Sequence, residues 1–329
     1  MRLARPLQVL GALIGLALAV WLVAHVGVGT ILDAIGKIHW WQFLLICLAY
    51  PLVLIADSIG WHFSFPRGSA PFTQLVLARA AGEAVNAASV VAPVGGEPVR
   101  AWLVRPWVPY EESVPSIVVA KTVNTLAQVL LIGLALGLAL TTLHLERGIL
   151  LGMAGLLVFE IIAIAIFVVT QVWGGLSGIG RLLKRFGMSR GAQSAKRMDQ
   201  MLVSYYTQHR TRLAAALLFH FVGRTLGALE VLVIMWALRM PVTPIVALTV
   251  EAIGAGVRFA TFFLPGSLGA LEGANAAAFG ALGLGAGAGL AFILLRRARQ
   301  VVWIGLGLAA IALARLRAPQ GEAWSRPLA

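Results

Sequence analysis

Long runs of apolar residues alternate along this chain with short polar or basic segments. A helix needs about 20 apolar residues to cross a hydrocarbon core of about 30 Å, and six runs meet or approach that length. They predict transmembrane helices at 7–23, 41–63, 115–143, 149–171, 213–238 and 287–314. The pattern therefore indicates an all-α, polytopic integral membrane protein with about six spanning helices.

The first apolar run has features of a secretory signal peptide. It follows Arg2 and Arg5, and residues 17–19 (A-L-A) mimic a cleavage site. The apolar residues nevertheless continue through 20–23, beyond that site. We therefore expect a retained first helix, with a cleaved signal peptide as the alternative.

Two further apolar stretches, 72–104 and 244–286, are interrupted by proline and glycine. The interruptions lie at 92–98 (A-P-V-G-G-E-P) and 264–269 (L-P-G-S-L-G). Proline removes a backbone donor and glycine relaxes the backbone, so each interruption predicts a helix break. Broken backbone at membrane depth requires polar partners from protein or water. We expect two re-entrant helical hairpins, with two ordinary proline-kinked spans as the alternative.

Composition excludes a soluble enzyme or binding domain. The chain of 329 residues is 60% hydrophobic and 12% charged, whereas soluble domains carry about 25% charged residues. Its net charge of +13 is typical of cytoplasmic loops that meet anionic lipid, and not of a nucleic-acid-binding face. The single cysteine, Cys47, and six histidines without metal-ligand spacing predict no disulfide, no metal site and no cofactor.

The distribution of basic residues predicts the topology. The linker 172–212 is strongly basic and contains an amphipathic helical pattern, so we expect it on the cytoplasmic side of a bacterial inner membrane. Counting spans from there places both termini in the cytoplasm. The hairpin 72–104 then enters from the cytoplasm and 244–286 from the opposite side. Opposed broken helices are expected of an inverted-repeat transporter.

A weak internal repeat supports this arrangement. Residues 84–93 align without gaps on 256–265, with small, valine, polar and apolar positions recurring up to a proline. We therefore describe 1–329 as a single membrane domain. Its parts are a first half at 7–171, the basic linker at 172–212, a second half at 213–314 and a short basic tail at 315–329.

Ionisable side chains inside the apolar runs are candidate functional groups. Each costs about 2.5–17 kcal/mol at the bilayer centre unless it is paired or hydrated. Three pairs are spaced to meet on one helical face: Arg79–Glu83, Glu97–Arg100 and Glu251–Arg258. Lys121, Asn124 and Gln128 form a polar stripe, and Glu160, Arg224 and Glu230 lie in other spans. Such pairs either fix helix register or line a site.

The last span carries Arg296, Arg297 and Arg299 without a local acid. The guanidinium fork matches phosphate oxygens, so this surplus favours a lipid phosphate; a shorter helix with these arginines in a loop is the alternative. We predict a central substrate-binding cavity formed by Glu83, Asn86, Glu97, Arg100, Lys121, Asn124, Glu251, Arg258, Glu272, Asn275, Arg296 and Arg299.

The two helix breaks carry motifs that resemble those of a known family. The first is Gly82-Glu83-x-x-Asn86 followed by Pro93-x-x-Gly96-Glu97-x-x-Arg100, and the second is Pro265-Gly266-Ser267-Leu268-Gly269-x-x-Glu272 followed by the run ending at Arg296. Over residues 7–314 the chain resembles the flippase-like membrane domain of lysylphosphatidylglycerol synthases, including standalone members associated with hopanoid or glycolipid genes. Relative to Pro93-x-x-Gly96-Glu97, an extra residue precedes Gly269 and the spacing to Glu272 is longer, which puts a symmetric role of Glu97 and Glu272 in doubt.

The resemblance implies lipid translocation without lysyl transfer, because no aminoacyltransferase domain accompanies the membrane domain. In this interpretation Arg100, Arg258 and Arg296 contact a phosphate or another anion. Glu83, Glu97 and Glu272 pair with those arginines, receive a cationic head group or carry a proton. The implied partners are anionic or amphiphilic membrane lipids and lipid-synthesis enzymes. Two alternatives remain open: a membrane-embedded transferase acting on a polyprenyl, hopanoid or phospholipid substrate, and a non-catalytic subunit that recruits a partner through its basic linker.

Overall fold

The described part of the chain is a bundle of helices. A computed structural model describes residues 38–88, 95–143, 145–172 and 189–317, with isolated positions between 29 and 36; the first predicted helix, 7–23, lies outside these residues. Within them, ten α-helices and one 3-10 helix follow one another. They are α1 Trp40–Phe63, α2 Phe72–Ala88, α3 Gly96–Val104, α4 Tyr110–Thr142, α5 Arg147–Val172, α6 Ser189–Gln208, α7 Arg210–Ala237, α8 Pro244–Ala260, the 3-10 turn Pro265–Ser267, α9 Ala270–Ala281 and α10 Ala286–Arg317.

Four of the described helices are long and apolar enough to cross a membrane: α1, α4, α5 over Arg147–Gln171, and α7. Helix α10 has 32 residues and is about 48 Å long at 1.5 Å per residue, which also exceeds the hydrocarbon thickness. It runs without a break through Arg296–Arg299, so the alternative that places these arginines in a loop is wrong. The predicted all-helical, polytopic architecture is confirmed, and the number of spans stays a prediction.

The two interrupted runs form pairs of short helices. Helices α2 and α3 meet where Gly82 faces Gly96, because a Cβ on Gly82 would lie 2.9 Å from the Gly96 carbonyl oxygen. The Gly96 amide donates to Asn86 Oδ1 at 2.7 Å. Helices α8 and α9 also contact each other. The depth of these pairs in the membrane, and hence their re-entrant nature, stays a prediction.

The turn between α8 and α9 needs glycine. Gly266 and Gly269 have φ angles of 59° and 76°, in the left-handed region that glycine adopts at little cost. The Gly269 amide donates to Glu272 Oε2 at 2.7 Å, so an acidic side chain satisfies a free donor at the start of α9. Helix α3 likewise has an acid, Glu97, in its first turn.

Helices α1–α4 and α7–α10 repeat one series of elements. Their lengths are 24 and 28, 17 and 17, 9 and 12, and 33 and 32 residues. The packing repeats with the halves exchanged, since α2 contacts α10 and α8 contacts α4, while α1 and α7 pack against each other. Residues 84–93 and 256–265, which align in sequence, are separated by the same number of residues as the first residues of α2 and α8. These features support the predicted repeat; the inverted orientation of its halves stays a prediction.

The largest apolar core joins both halves of the repeat. It contains Leu131 of α4, Val231 of α7, Phe279 of α9 and Phe292 of α10, all with no exposed surface. Helix α5 lies at the periphery, and only 11% of its most apolar window is buried inside the protein. Its exposed apolar side chains suit contact with lipid, because apolar side chains carry no free-energy penalty for contact with acyl chains.

Helix α6 lies in the basic linker and packs against the bundle. Leu202 and Tyr205 are buried against Val119 and Ala216. The Tyr205 hydroxyl donates to the Phe63 carbonyl oxygen at 2.7 Å. Burial raises the pKa of Tyr205 to about 12, so the phenol remains a donor at physiological pH. The apolar face of this amphipathic helix therefore packs against protein at these two residues.

The α2–α3 contact provides a first test. We expect Gly96→Ala to lower the free energy of unfolding by about 1–3 kcal/mol, because the added Cβ would overlap the Gly82 carbonyl group. Gly133→Ala on α4 is the matched control, since no atom lies within 4 Å of its added Cβ. Thermal unfolding of both variants in detergent measures the difference. Equal midpoints for Gly96→Ala and Gly133→Ala would contradict the packing of α2 on α3.

Candidate functional site

A cavity of about 440 Å³ lies among α1, α2, α7, α8, α10 and the turn after α8. Its charged lining, within the described residues, comprises more arginines than carboxylates. The six arginines are Arg79, Arg224, Arg258, Arg296, Arg297 and Arg299, and the four carboxylates are Asp57, Glu83, Glu230 and Glu251. The lining is therefore suited to an anionic ligand.

Asp57 of α1 is the centre of a first buried cluster. Its Oδ2 lies 2.6 Å from Arg79 Nη2 of α2, and its Oδ1 lies 2.8 Å from Nδ1 of His220 on α7. Glycines allow these approaches, because a Cβ on Gly60 would lie 2.8 Å from the His220 ring and one on Gly223 2.9 Å from Asp57 Oδ1. One carboxylate thus joins three helices.

Glu83 extends this cluster to α3. Its Oε1 lies 3.2 Å from Arg79 Nε and 3.7 Å from Arg100 Nη2, and it accepts a hydrogen bond from the Tyr50 hydroxyl. The expected Arg79–Glu83 pair is present. The expected Glu97–Arg100 pair does not form, because the Gly82 contact brings Arg100 to Glu83.

Arg296 of α10 is the centre of a second buried cluster. Its Nε lies 3.3 Å from Glu230 Oε1 of α7, and its Nη2 donates to Glu251 Oε2 of α8. Arg299 Nε lies 2.8 Å from the same oxygen of Glu230. The last helix has no local acid, so its arginines take their partners from two other helices. This cluster fixes α7, α8 and α10 relative to one another.

Arg224 and Arg258 of the lining each have terminal N–H groups that the described residues leave without a hydrogen-bond partner. Arg258 lies 3.3 Å from Glu251 Oε1, and its side chain is 37% exposed. Arg224 donates through Nε to Asn124 Oδ1 at 2.9 Å, and within the described residues no carboxylate lies within ion-pairing distance of it. Their terminal N–H groups can donate charge-assisted hydrogen bonds to an anion in the cavity.

Each short helical pair is also tied to the long helix that follows it. Glu272 of α9 accepts from Arg297 Nε of α10 at 2.6 Å, and Arg297 also donates to the Gly266 carbonyl oxygen at 3.3 Å. In the first half, Glu97 of α3 accepts from Lys121 Nζ of α4 at 3.0 Å. Despite the different spacing of their motifs, the two glutamates hold equivalent ion pairs.

Aromatic and apolar groups form the rest of the lining. The Arg299 guanidinium lies 4.4 Å from the centroid of the Tyr50 ring, which is 5.1 Å from the Trp303 ring. Phe262 and Ile304 also line the cavity. A cationic region next to an apolar one suits an amphiphile.

Seven of the twelve predicted site residues line the cavity: Glu83, Asn86, Asn124, Glu251, Arg258, Arg296 and Arg299. The other five do not: Glu97, Arg100, Lys121, Glu272 and Asn275. Four of these form the ion pairs described above. Asn275 donates from Nδ2 to the Leu271 carbonyl oxygen at 2.8 Å, within its own helix.

Sequence reasoning missed several lining residues. The predicted set contains neither the charged residues Arg79, Arg224, Glu230 and Arg297 nor Asp57 and Tyr50, and all six line the cavity. Asp57 is the only charged residue in the apolar run 41–63, so the high cost of an intramembrane carboxylate was a usable signal. Within the described ranges, no group of three or more His, Cys, Asp or Glu residues is placed to hold a metal ion.

The buried cluster provides a second test. We expect Asp57→Asn to lower the free energy of unfolding by about 3–5 kcal/mol, because it leaves Arg79 buried without its closest counter-charge. The double variant Asp57→Asn/Arg79→Gln removes both charges and should be more stable than the single variant. The exposed Glu146→Gln is the control for loss of a carboxylate. Thermal midpoints in detergent that are equal for all three would contradict the pairing.

Comparison with known proteins identifies the family. A search of curated proteins found no match. The family model described as the lysylphosphatidylglycerol synthase TM region matches residues 8–309. The match includes both short helical pairs and all the residues that line the cavity. The chain therefore belongs to the family of the lysylphosphatidylglycerol synthase transmembrane region.

Proposed function

We propose that this protein moves a lipid with a polar or anionic head group across the membrane, and that the head group passes through the charged cavity. Membership of the family makes the chain a membrane-embedded protein of lipid metabolism or transport. Our more specific proposal is that it translocates a lipid. It agrees with a bundle whose cavity is bordered by both halves of a repeat, an arrangement typical of transporters.

The observation that carries the proposal is the pair Arg224 and Arg258. Arg79, Arg296 and Arg297 donate hydrogen bonds to carboxylates. Arg224 has no carboxylate partner among the described residues, and Arg258 pairs with Glu251 through one terminal nitrogen and is 37% exposed. A phosphate or similar anion would satisfy those donors and offset the positive surplus of the lining. In this proposal Arg224 replaces Arg100 as an anion contact, and Arg296 is not one because Glu230 and Glu251 hold it.

The apolar part of the lining supports an amphiphile as the ligand. Trp303, Phe262 and Ile304 border the same space as the arginines. A head group bound at Arg224 and Arg258 would leave its acyl chains beside this apolar surface. A small hydrophilic anion would make no favourable contact with this apolar surface.

The two short helical pairs supply the moving parts in this proposal. Alternating access would require the pairs α2–α3 and α8–α9 to shift in turn around the site. In this proposal the protein lies in a bacterial inner membrane with both termini and α6 in the cytoplasm, as the basic linker 172–212 favours.

A transferase is less well supported by the cavity. Each of its four carboxylates lies within ion-pairing distance of an arginine in the described structure, so none is available as a free general base. A role as a non-catalytic subunit would not account for the open hydrogen-bond donors of Arg224 and Arg258 in the cavity.

Reconstituted vesicles test translocation directly. With acyl-labelled fluorescent phosphatidic acid in both leaflets, dithionite bleaches only the outer leaflet unless the protein exchanges lipid. We expect exchange by the unmutated protein well above that of empty vesicles, and slower exchange of a neutral glucosyl diacylglycerol. Exchange no faster than in empty vesicles for either lipid would refute the proposal.

The anion site has its own prediction. We expect Arg224→Gln and Arg258→Gln each to slow phosphatidic acid exchange about tenfold or more, because each removes a charge-assisted hydrogen bond worth about 1.5–3 kcal/mol. Arg239→Gln, at an exposed arginine between α7 and α8, is the control. If the cavity variants exchange lipid as fast as Arg239→Gln, the anion lies elsewhere.

A further inference from the structure

Glu160 of α5 differs from the other buried carboxylates. Its residue has no exposed surface, although α5 is the most peripheral of the four apolar spans. Its Oε1 accepts a hydrogen bond from Gln128 Nε2 of α4 at 2.7 Å. Its Oε2 is buried without a hydrogen-bond partner among the described residues. One neutral amide is therefore the main polar support of this carboxyl group.

The other buried carboxylates of the spans and short pairs all have cationic partners. Asp57, Glu230, Glu251 and Glu272 each lie within 3.3 Å of an arginine nitrogen. For Glu160, no such nitrogen lies within about 4 Å in the described part of the chain. A buried carboxylate without a counter-charge is costly, and binding a proton removes that cost. Glu160 thus has the surroundings of a protonatable group.

Gln128 connects Glu160 to the cavity. The same Nε2 that donates to Glu160 also donates to the Ala255 carbonyl oxygen of α8 at 3.2 Å. Ala255 lies one turn after Glu251 and just before Arg258, which both line the cavity. A shift of α8 would therefore change the hydrogen bonding of Gln128 and, through it, the surroundings of Glu160.

Other titratable groups around Glu160 come from the helices that pack against α5. Helices α4, α8 and α6 pack against α5, and their ionisable groups include Lys121 on α4, Glu251 and Arg258 on α8, and Tyr206 on α6. Lys121 is bound to Glu97, Glu251 and Arg258 are bound to each other, and Tyr206 donates to Gln171. Arg224 of α7 is the cation joined to this network, because it donates to Asn124, one turn before Gln128 on α4. Its terminal N–H groups are open.

We propose that Glu160 binds a proton that is carried together with the anionic head group. This inference rests on the proposed function. An anion at Arg224 offsets the positive charge that favours ionised Glu160, so anion binding and proton binding promote each other by linkage. The Gln128 bridge transmits the state of Glu160 to α8. A proton gradient in the direction of head-group movement would then drive translocation.

Infrared spectroscopy of the purified protein tests the proton site without any transport assay. We expect a protonated carboxylic acid signal that disappears on raising the pH and is absent in Glu160→Gln, which keeps the size of the side chain. Glu146→Gln, at an exposed position just before α5, should retain the signal. A signal unchanged in Glu160→Gln, with retained helical content, would overturn the proposal.

The linkage has a separate readout in the same samples. Adding short-chain phosphatidic acid in detergent should shift the infrared titration of Glu160 to higher pH. The shift should be lost in Arg224→Gln and kept in Arg239→Gln. An unshifted titration in the unmutated protein, at concentrations of phosphatidic acid that bind, would overturn the linkage.

Vesicles with an imposed pH gradient test the coupling. Exchange of labelled phosphatidic acid by the unmutated protein should accelerate along the gradient, and Glu160→Gln should lose that response; a response retained in Glu160→Gln would overturn the coupling. If the unmutated protein exchanges no lipid but the infrared signal belongs to Glu160, the proposed function fails and the proton site stands.

Discussion

Pairing of buried charge is the constraint on which the rest of this structure depends. In the described bundle, Asp57 joins α1, α2 and α7, and Arg296 joins α7, α8 and α10. Separating either cluster would leave an uncompensated charge in a low-dielectric environment, which costs several kcal/mol. The clusters therefore hold the helices around a polar cavity in a protein whose outer surface is suited to lipid.

The internal repeat explains why the cavity lies where it does. Helices α2 and α8 are 17 residues each and contribute Arg79 and Glu251, one buried cation and one buried anion, at equivalent positions. Each contacts a long helix of the other half, α10 or α4. Glu97 and Glu272 then attach the second helix of each short pair to the next long helix. Two copies of one helical arrangement thus enclose one charged space.

The repeat is symmetric in its helices but not in its charges. The first half concentrates carboxylates around Arg79, whereas the second concentrates arginines on α10 and leaves Arg258 half-exposed. Arg224 and Arg258 both come from the second half, and so does the helix contacted by Gln128. The proposed anion contacts therefore both lie on helices of the second half, α7 and α8.

The sequence by itself determined the helical class, the membrane environment, the helix breaks and the family, because apolar run length and proline or glycine act locally along the chain. It also identified most of the costly charges. The partners were decided only by tertiary structure. Arg100 meets Glu83 instead of Glu97 because two glycines bring α2 and α3 together, and Arg296 finds acids 66 and 45 residues away. Spacing along one helix predicts which side chains share a face, but it cannot say which face another helix will contact, and that contact decides how each buried charge is neutralised.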